Sequence, residues 1–413
     1  MNPKTSNFKL AQAVALGLFA LAANPAQATD YSFTDLRFQP GSWSPVHSIN
    51  NLGQAVGEFH DASNPNNQSS ATYYDGAQWH ILGGWQSLPW NSTLNVPDGS
   101  TNNVAWGIND HGQIAGYTGP NGAIHDQHVG TVWNNGVATQ LDPLPGTVAG
   151  TDYIWAISNN NNGQVAGFGY DPVGHVNAGT WNAGETAIHP LDTLGGSRTW
   201  IFPGNTVNDA GQIVGQAYIA DDSAGHAVVW QNLAIHDLGT LGGTNSMALG
   251  INQGGQIIGY SNDAGDADVR AVLWADATAT TPLDLGTLGG ANAIATGIND
   301  LGQIIGYSDT AAGQSHLTLW DHGKITDLTT YLAADLLASG LAPDTSLDAG
   351  IPVFAPRINN AGLILGNFIA ADYSQTYSFL LTPTPVPVPA AVWLFGSALA
   401  GLVGWGRRKG AAG

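Results

Sequence analysis

"GINDLGQIIGYS", residues 297–308, packs an Asn, two glycines four residues apart and a pair of isoleucines into one short run. The frame recurs along the chain. Its first glycine falls at Gly53, Gly112, Gly163, Gly211, Gly255, Gly302 and Gly362, at intervals of 59, 51, 48, 44, 47 and 60 residues. A second glycine follows four positions later each time, at Gly57, Gly116, Gly167, Gly215, Gly259, Gly306 and Gly366. Gln follows the first glycine in six copies, and Leu363 takes its place in the last. Asn299-Asp300-Leu301-Gly302 has the chemistry of a type I turn closed by a left-handed residue, with Asn at the first position and Gly where φ must be positive. Gly306 lies inside the following strand, where glycine marks close approach of another segment. Ile304 and Ile305 face opposite sides and both are apolar, as in a strand covered on both faces.

Working outward, each unit has one internal order. In the fifth, "SMALGI" (246–251) leads through "NQGG" to "QIIGYS" (256–261), then an Asp-rich loop, "RAVLW" (270–274) and "TPLDLGTLGG" (281–290). Four short apolar segments, a to d, in about 50 residues are the unit of a β-propeller blade. The seventh unit stops at its third segment, "YSFLL" (377–381). Its missing strand d stands at the other end of the chain, where "YSFTDL" (31–36) matches "KITDL" (324–328) in ending on Thr-Asp-Leu. The expected fold class is therefore all-β: a seven-bladed β-propeller of four-stranded blades over residues 29–382, closed by an N-terminal strand. An open β-solenoid is the alternative, but it has no need of that permutation.

Composition agrees with a chain of strands and turns. The 413 residues include 55 Gly and 14 Trp but no Cys, and 43% are hydrophobic against 10% charged. Of 30 acids only Glu58 and Glu185 are Glu, and Asp prefers caps and turns to helix interiors. Five of the ten bases sit at the chain ends, so the stretch between carries 30 acids against five bases. Such a field repels phosphate backbones and argues against a nucleic-acid partner. Absence of Cys is compatible with export without showing it.

The ends speak for export. Lys4 and Lys9 precede an apolar run from Leu10 to Ala23 and the small-x-small site Ala26-Gln27-Ala28, the parts of a secretory signal peptide over 1–28. A buried helix is the alternative reading. At the other end a Pro-rich spacer, 383–389, leads into an apolar stretch from Ala390 to Gly406 and then Arg407, Arg408 and Lys409, so 390–413 reads as a short transmembrane helix with a basic tail. Bases directly after the span favour a cytoplasmic C-terminus. The series Val386-Pro387-Val388-Pro389-Ala390, Trp393, apolar run and basic cluster resembles the PEP-CTERM sorting signal in its VPLPA form, with Val388 where Leu is usual. That resemblance implies processing by an exosortase-type enzyme at the inner membrane of a Gram-negative bacterium, then residence at the cell surface or in the exopolysaccharide matrix. An ordinary tail anchor is the alternative.

The units themselves resemble the HAF family of extracellular repeats through "INDLGQIIGYS" (298–308), "HAVVW" (226–230) and "HDLGTLGG" (236–243), with Val228 where the family name has Phe. The likeness spans about 330 residues and is strongest in units four to six. It implies an exported repeat protein and assigns no activity.

Chemistry should show as departures from the repeat. Asp110, Asp209 and Asp300 recur at turns, so geometry explains them. The tryptophans that end strand c (Trp133, Trp181, Trp230, Trp274 and Trp320) are expected to pack between blades, with a sugar platform as the alternative. "GTLGG" (239–243, 286–290) and "DTLGG" (192–196) lack the Lys and helix start of a phosphate loop and are expected as turns between blades. His125, Asp126 and His128 could approach a metal, but their spacing is weak and a solvated b–c loop is the expected reading; Asp263, Asp266 and Asp268 are candidate Ca²⁺ ligands, although no twelve-residue Ca²⁺ loop is present. Two longer departures are the polar loop 60–70 and "TTYLAADLLASGLA" (329–342), where apolar spacing predicts a helix. No G-x-S-x-G elbow occurs. The expected function is a non-catalytic binding or structural role, with polysaccharide or surface proteins as partners and no cofactor beyond a candidate Ca²⁺. A secreted lyase or glycosidase using Asp residues on the loop-bearing face is the alternative.

Overall fold

The computed structural model describes residues 30–36, 43–60, 69–82, 101–120, 128–144, 154–170, 173–332, 342–343, 355–369 and 376–384. Phe33–Thr382 forms one compact unit. The signal segment with Ala26 and Ala28, and the sorting motif with Val386 to Ala390, Arg407, Arg408 and Lys409, lie outside the described residues. No helix among the described residues is long and apolar enough to cross a membrane.

Seven antiparallel sheets make seven blades. Blades 1 to 6 each run a-b-c-d in chain order; blade 5, for example, consists of Gly242–Ile251, Ile257–Asp263, Val269–Trp274 and Leu283–Asp284. Blade 7 differs. Its strand b, Ile364–Ile369, pairs with two short inner pieces, Ala342–Pro343 and Arg357–Ile358, and with strand c, Thr376–Pro383. Strand d of this blade is Tyr31–Asp35, so the start of the chain closes the last blade as the sequence predicts. The Leu36 amide donates to the Ser378 carbonyl, and Phe33 stacks on Phe379 with ring centroids 5.9 Å apart.

The recurrent glycines do two jobs. All seven first glycines have positive φ, from 74° to 82°, and each accepts the left-handed position of the a–b turn. In blades 1 to 6 the second glycine faces strand a of its own blade, whereas Gly366 in blade 7 faces the Phe379 ring of strand c. A Cβ on Gly306 would sit 2.0 Å from the Ile294 carbonyl oxygen, next to a β-bulge between Ala295 and Gly297.

Asn does more than begin the turn. The Asn299 Oδ1 accepts from the Leu301 and Gln303 amides, while its Nδ2 donates to Gln303 Oε1. The same Nδ2 also donates to the Asn359 carbonyl of the next blade. This bond repeats from Asn50 to Asn109, Asn160, Asn208, Asn252, Asn299, Asn359 and back to Asn50, at 2.8–3.2 Å. A second ring lies on the next residue, whose backbone amide donates to the side-chain oxygen of its counterpart one blade on, at 2.8–2.9 Å. Two closed rings of seven hydrogen bonds thus encircle one mouth of the axial channel. Because the Asn residues are buried, each missing bond would leave polar atoms unpaired at a cost of about 1–3 kcal/mol.

The strand-c tryptophans are 0–3% exposed and pack between blades. Four of them also donate from Nε1 to a carbonyl after strand d of the preceding blade, as Trp274 does to Leu238 at 2.7 Å. Blade 1 has Tyr74 at this position, and Trp79 of its strand d supplies the donor instead, to Leu36 of the closing strand.

The helix expected over 329–342 is not what the described part of that segment shows. Thr329–Tyr331 makes a single 3₁₀ turn, and Ala342 belongs to a strand piece of blade 7. Residues 333–341 lie outside the described set. Thr329 is held by its neighbours rather than by a following turn: its amide donates to Asp327 Oδ1, and its hydroxyl accepts from the Leu317 amide.

Candidate functional site

Propeller topology puts the b–c loops and d–a connections on one face and the a–b and c–d turns on the other. On the a–b face the repeat is regular. The seven turns surround a small cavity of about 70 Å³ lined by the Asn rings and by Asp110, Asp209 and Asp300. Each of these carboxylates accepts from the turn of a neighbouring blade, and that is the use the repeat gives them.

The irregular part is the channel interior. Gly242 to Asn252 and Gly289 to Asn299 span 10 positions, but Gly195 to Asn208 span 13. Strand a of blade 4 accordingly stops at Trp200 and resumes pairing only at the Val207–Ile213 bridge. The extra backbone bulges inward: Asn205 O accepts from Ile251 N of blade 5, and Pro203 O accepts from Arg357 Nη2 of blade 7. Blades 4 and 7 are not neighbours in a seven-membered ring, so the latter bond crosses the axis. Arg357 is 4% exposed, and its Nη1 donates to the Thr296 and Pro356 carbonyls. Where blades 1 to 6 carry Ser, Gly or Thr one residue before the last of strand a, blade 7 carries this arginine, and it plugs the channel. Burial pushes its guanidinium down to about 10, still charged at neutral pH.

A ladder of rings packs between blades 1 to 4, from their inner strands and, in blade 3, from strand b as well. His47 lies against Trp106 at 4.1 Å between centroids, Trp106 stacks on Trp155 at 5.5 Å, and Trp155 meets Phe168 at 5.4 Å. Phe168 then meets Trp200 edge-on, and Trp200 stacks on Phe202 of the inserted segment. Trp155 and Trp200 are only half-buried. Blades 5 and 6 present Met247, Leu249 and Ile294 instead. The asymmetry leaves the half-buried Trp155 and Trp200 as the strongest departures from the repeat.

Beside the ladder, blade 1 buries Glu58 between two imidazoles. Glu58 Oε2 lies 3.0 Å from His60 Nε2, and Oε1 lies 3.7 Å from His47 Nε2. Burial works to raise the Glu58 carboxyl, but the two imidazoles outweigh it and bring it down to about 2. Burial lowers the His47 imidazole from its ordinary value against the pull of Glu58, and the Arg357 and His60 charges push the same way as burial.

Of the candidates read from sequence, His125 and Asp126 lie outside the described residues. His128 is buried, stacked on Tyr117 at 4.2 Å, with Trp155 Nε1 donating to its Nδ1 at 3.4 Å. Asp263 Oδ1 accepts from the Ala267 and Asp268 amides, and Asp266 accepts from the amide and hydroxyl of Thr244. Among the described residues no three His, Asp or Glu side chains are placed to hold a metal ion. The "GTLGG" stretches do turn from one blade into the next: Gly239 and Gly242 both have positive φ, and the Thr240 hydroxyl donates to the Gly243 carbonyl. Trp106, Trp155, Trp200, Glu58 and Arg357 are absent from the sequence-derived candidates. Faint signals for them exist in the three extra residues of unit four, in Glu58 as one of two Glu, and in Arg357 as one of five bases away from the ends.

No protein-family model matches the chain, and no curated protein matches it in sequence. Solved structures match in fold. A puromycin-hydrolysing peptidase of Mycobacterium tuberculosis is 10% identical with a TM-score of 0.50, over 84% of this chain and 53% of that one. The chain therefore spans about half the length of that peptidase. TolB of Acinetobacter baumannii is 10% identical with a TM-score of 0.41, over 85% of this chain and 96% of that one. A six-bladed fungal lectin with a fucose recognition mode, from Aleuria aurantia, is 13% identical with a TM-score of 0.31, over 70% of this chain and 80% of that one. At such identities the likeness is one of fold alone.

Proposed function

We propose that the protein is an exported repeat protein of the cell surface or matrix, with a non-catalytic binding or structural role, whose C-terminal tail is handled by an exosortase-type enzyme. The use of the carboxylates carries this reading. Asp110, Asp209 and Asp300 lock neighbouring turns. Asp222 and Asp266 clasp Ser197 and Thr244 across the loop-bearing face, and Asp237, Asp284 and Asp327 pair with His226, Arg270 and His316. These acids serve architecture, and the repeat is broken instead by aromatic side chains packed between blades 1 to 4. Export and sorting rest on the signal-like N-terminus and the three-part C-terminal pattern.

Binding partners on this reading are polysaccharide or other surface proteins, met at the loop-bearing face. A glycan array probed with residues 29–382, with and without Ca²⁺, tests the binding role, and N-terminal sequencing of the secreted chain tests export. Retention of a glycan without product release, together with a mature start at Thr29, is the expected result. Depolymerisation of a bound glycan would instead establish a carbohydrate-active enzyme, and an uncleaved chain inside the cell would remove the export reading.

A further inference from the structure

His47 stands at the junction where the ring closes. Its neighbours in blade 1 are bound by blade 7: the Val46 amide donates to Asn367 Oδ1, and Asn367 Nδ2 returns to the Val46 carbonyl. The Ser44 amide donates to the Thr376 hydroxyl, and the Ser378 hydroxyl to the Ser44 carbonyl. Every one of these bonds ties the last blade to the first. The His47 side chain between them is 0% exposed, yet Glu58 links it to His60, whose side chain is 21% exposed. Solvent therefore reaches the buried imidazole through a carboxylate.

We propose that His47, Glu58 and His60 form a proton relay that loosens the junction between blades 7 and 1 when the surroundings become acidic. Among the described residues the charged groups acting on His47 are Glu58, Arg357 and His60. Two of those three are cationic in acid. A proton taken up at the partly exposed His60 stays on its imidazole, paired with the Glu58 carboxylate. One that reaches His47 places a second buried cation beside Arg357, which has no carboxylate among its hydrogen-bond partners. Glu58 stays ionised over this range, so the carboxylate keeps one charge to offset two imidazolium groups and the guanidinium. The sign follows from linkage. A native state that holds His47 neutral binds fewer protons than an opened one, so the closed junction loses stability as pH falls below the ordinary histidine value of about 6.5.

Hydrogen exchange on the full chain between about pH 7.5 and pH 5, corrected for intrinsic rates, tests the relay. The account expects protection over 46–49 and 376–382 to fall roughly tenfold more than in blades 4 to 6, the change that about one pH unit of linkage produces. His47→Gln should remove that difference. His60→Gln removes a charge that holds His47 down, so it should bring the closed-state imidazole nearer its ordinary value and shrink the junction-specific loss. A uniform loss in all blades, a junction-specific loss that survives His47→Gln, or a loss in His60→Gln as large as or larger than in the parent would each overturn the proposal. If His47→Gln does not fold, the size of the junction-specific loss in His60→Gln decides alone.

Discussion

Asn299 shows how much one buried amide can hold. It caps two amides of its own turn, orients Gln303 and bonds the next blade. Asn299→Ala should lower stability by about 1–3 kcal/mol in urea unfolding, since unpaired buried polar atoms carry that cost. Gly306→Ala should cost more, because its Cβ would sit 2.0 Å from the Ile294 oxygen and the strand pair must part to admit it. The same two unfolding curves rank the two effects. The turn role of these residues is legible in sequence because a positive φ is a local demand. The reach of Asn into the next blade is not, since it depends on where that blade stands.

At the scale of the element, the tryptophan ending strand c joins packing to a hydrogen bond. Trp274→Phe keeps most of the buried area and loses the bond to Leu238, so about 1 kcal/mol is expected. Trp274→Ala opens a cavity and should cost about 3–5 kcal/mol by thermal unfolding. The pair His226–Asp237 links strands c and d of blade 4 at 2.8 Å. A hydrogen bond with Asp237 raises the His226 imidazole, so its contribution is present in acid and fades as pH rises through its folded value. The Asp237 carboxyl is lowered, against burial, by His226, so its own contribution fades as pH falls through that lowered value. The pair should therefore help most between those limits, by no more than about 1 kcal/mol given its exposure, and His226→Ala should flatten the stability profile there. Sequence pattern marks these strands well because alternation and turn residues are local. It fails at the two described ends of 329–342, where helical spacing is present but Thr329 is captured by Asp327 and Leu317 and Ala342 by blade 7.

At the scale of the molecule, the seven-fold count and the borrowed closing strand are readable from the spacing of glycines and from Thr-Asp-Leu at both "YSFTDL" and "KITDL". The plug is not. Three surplus residues in unit four are visible in sequence, but their meeting with Arg357, 154 positions away, follows only from the ring. The aromatic ladder is hidden for the same reason: Trp155 and Trp200 share a register that the three surplus residues of unit four disguise, Trp106 sits in a bulge two positions on, and the rings converge only when blades 2 to 4 stand side by side. Closure is the claim on which all of this rests, and it has a direct measurement. The chain contains no Cys, so Phe33→Cys combined with Phe379→Cys supplies the only two thiols. Their parent rings lie 5.9 Å apart across the closing strand pair. Mild oxidation should convert the monomer to an intramolecular disulfide seen as a mobility shift that dithiothreitol reverses. Two thiols that remain free under those conditions, or that join only between chains, would contradict the closed seven-bladed ring.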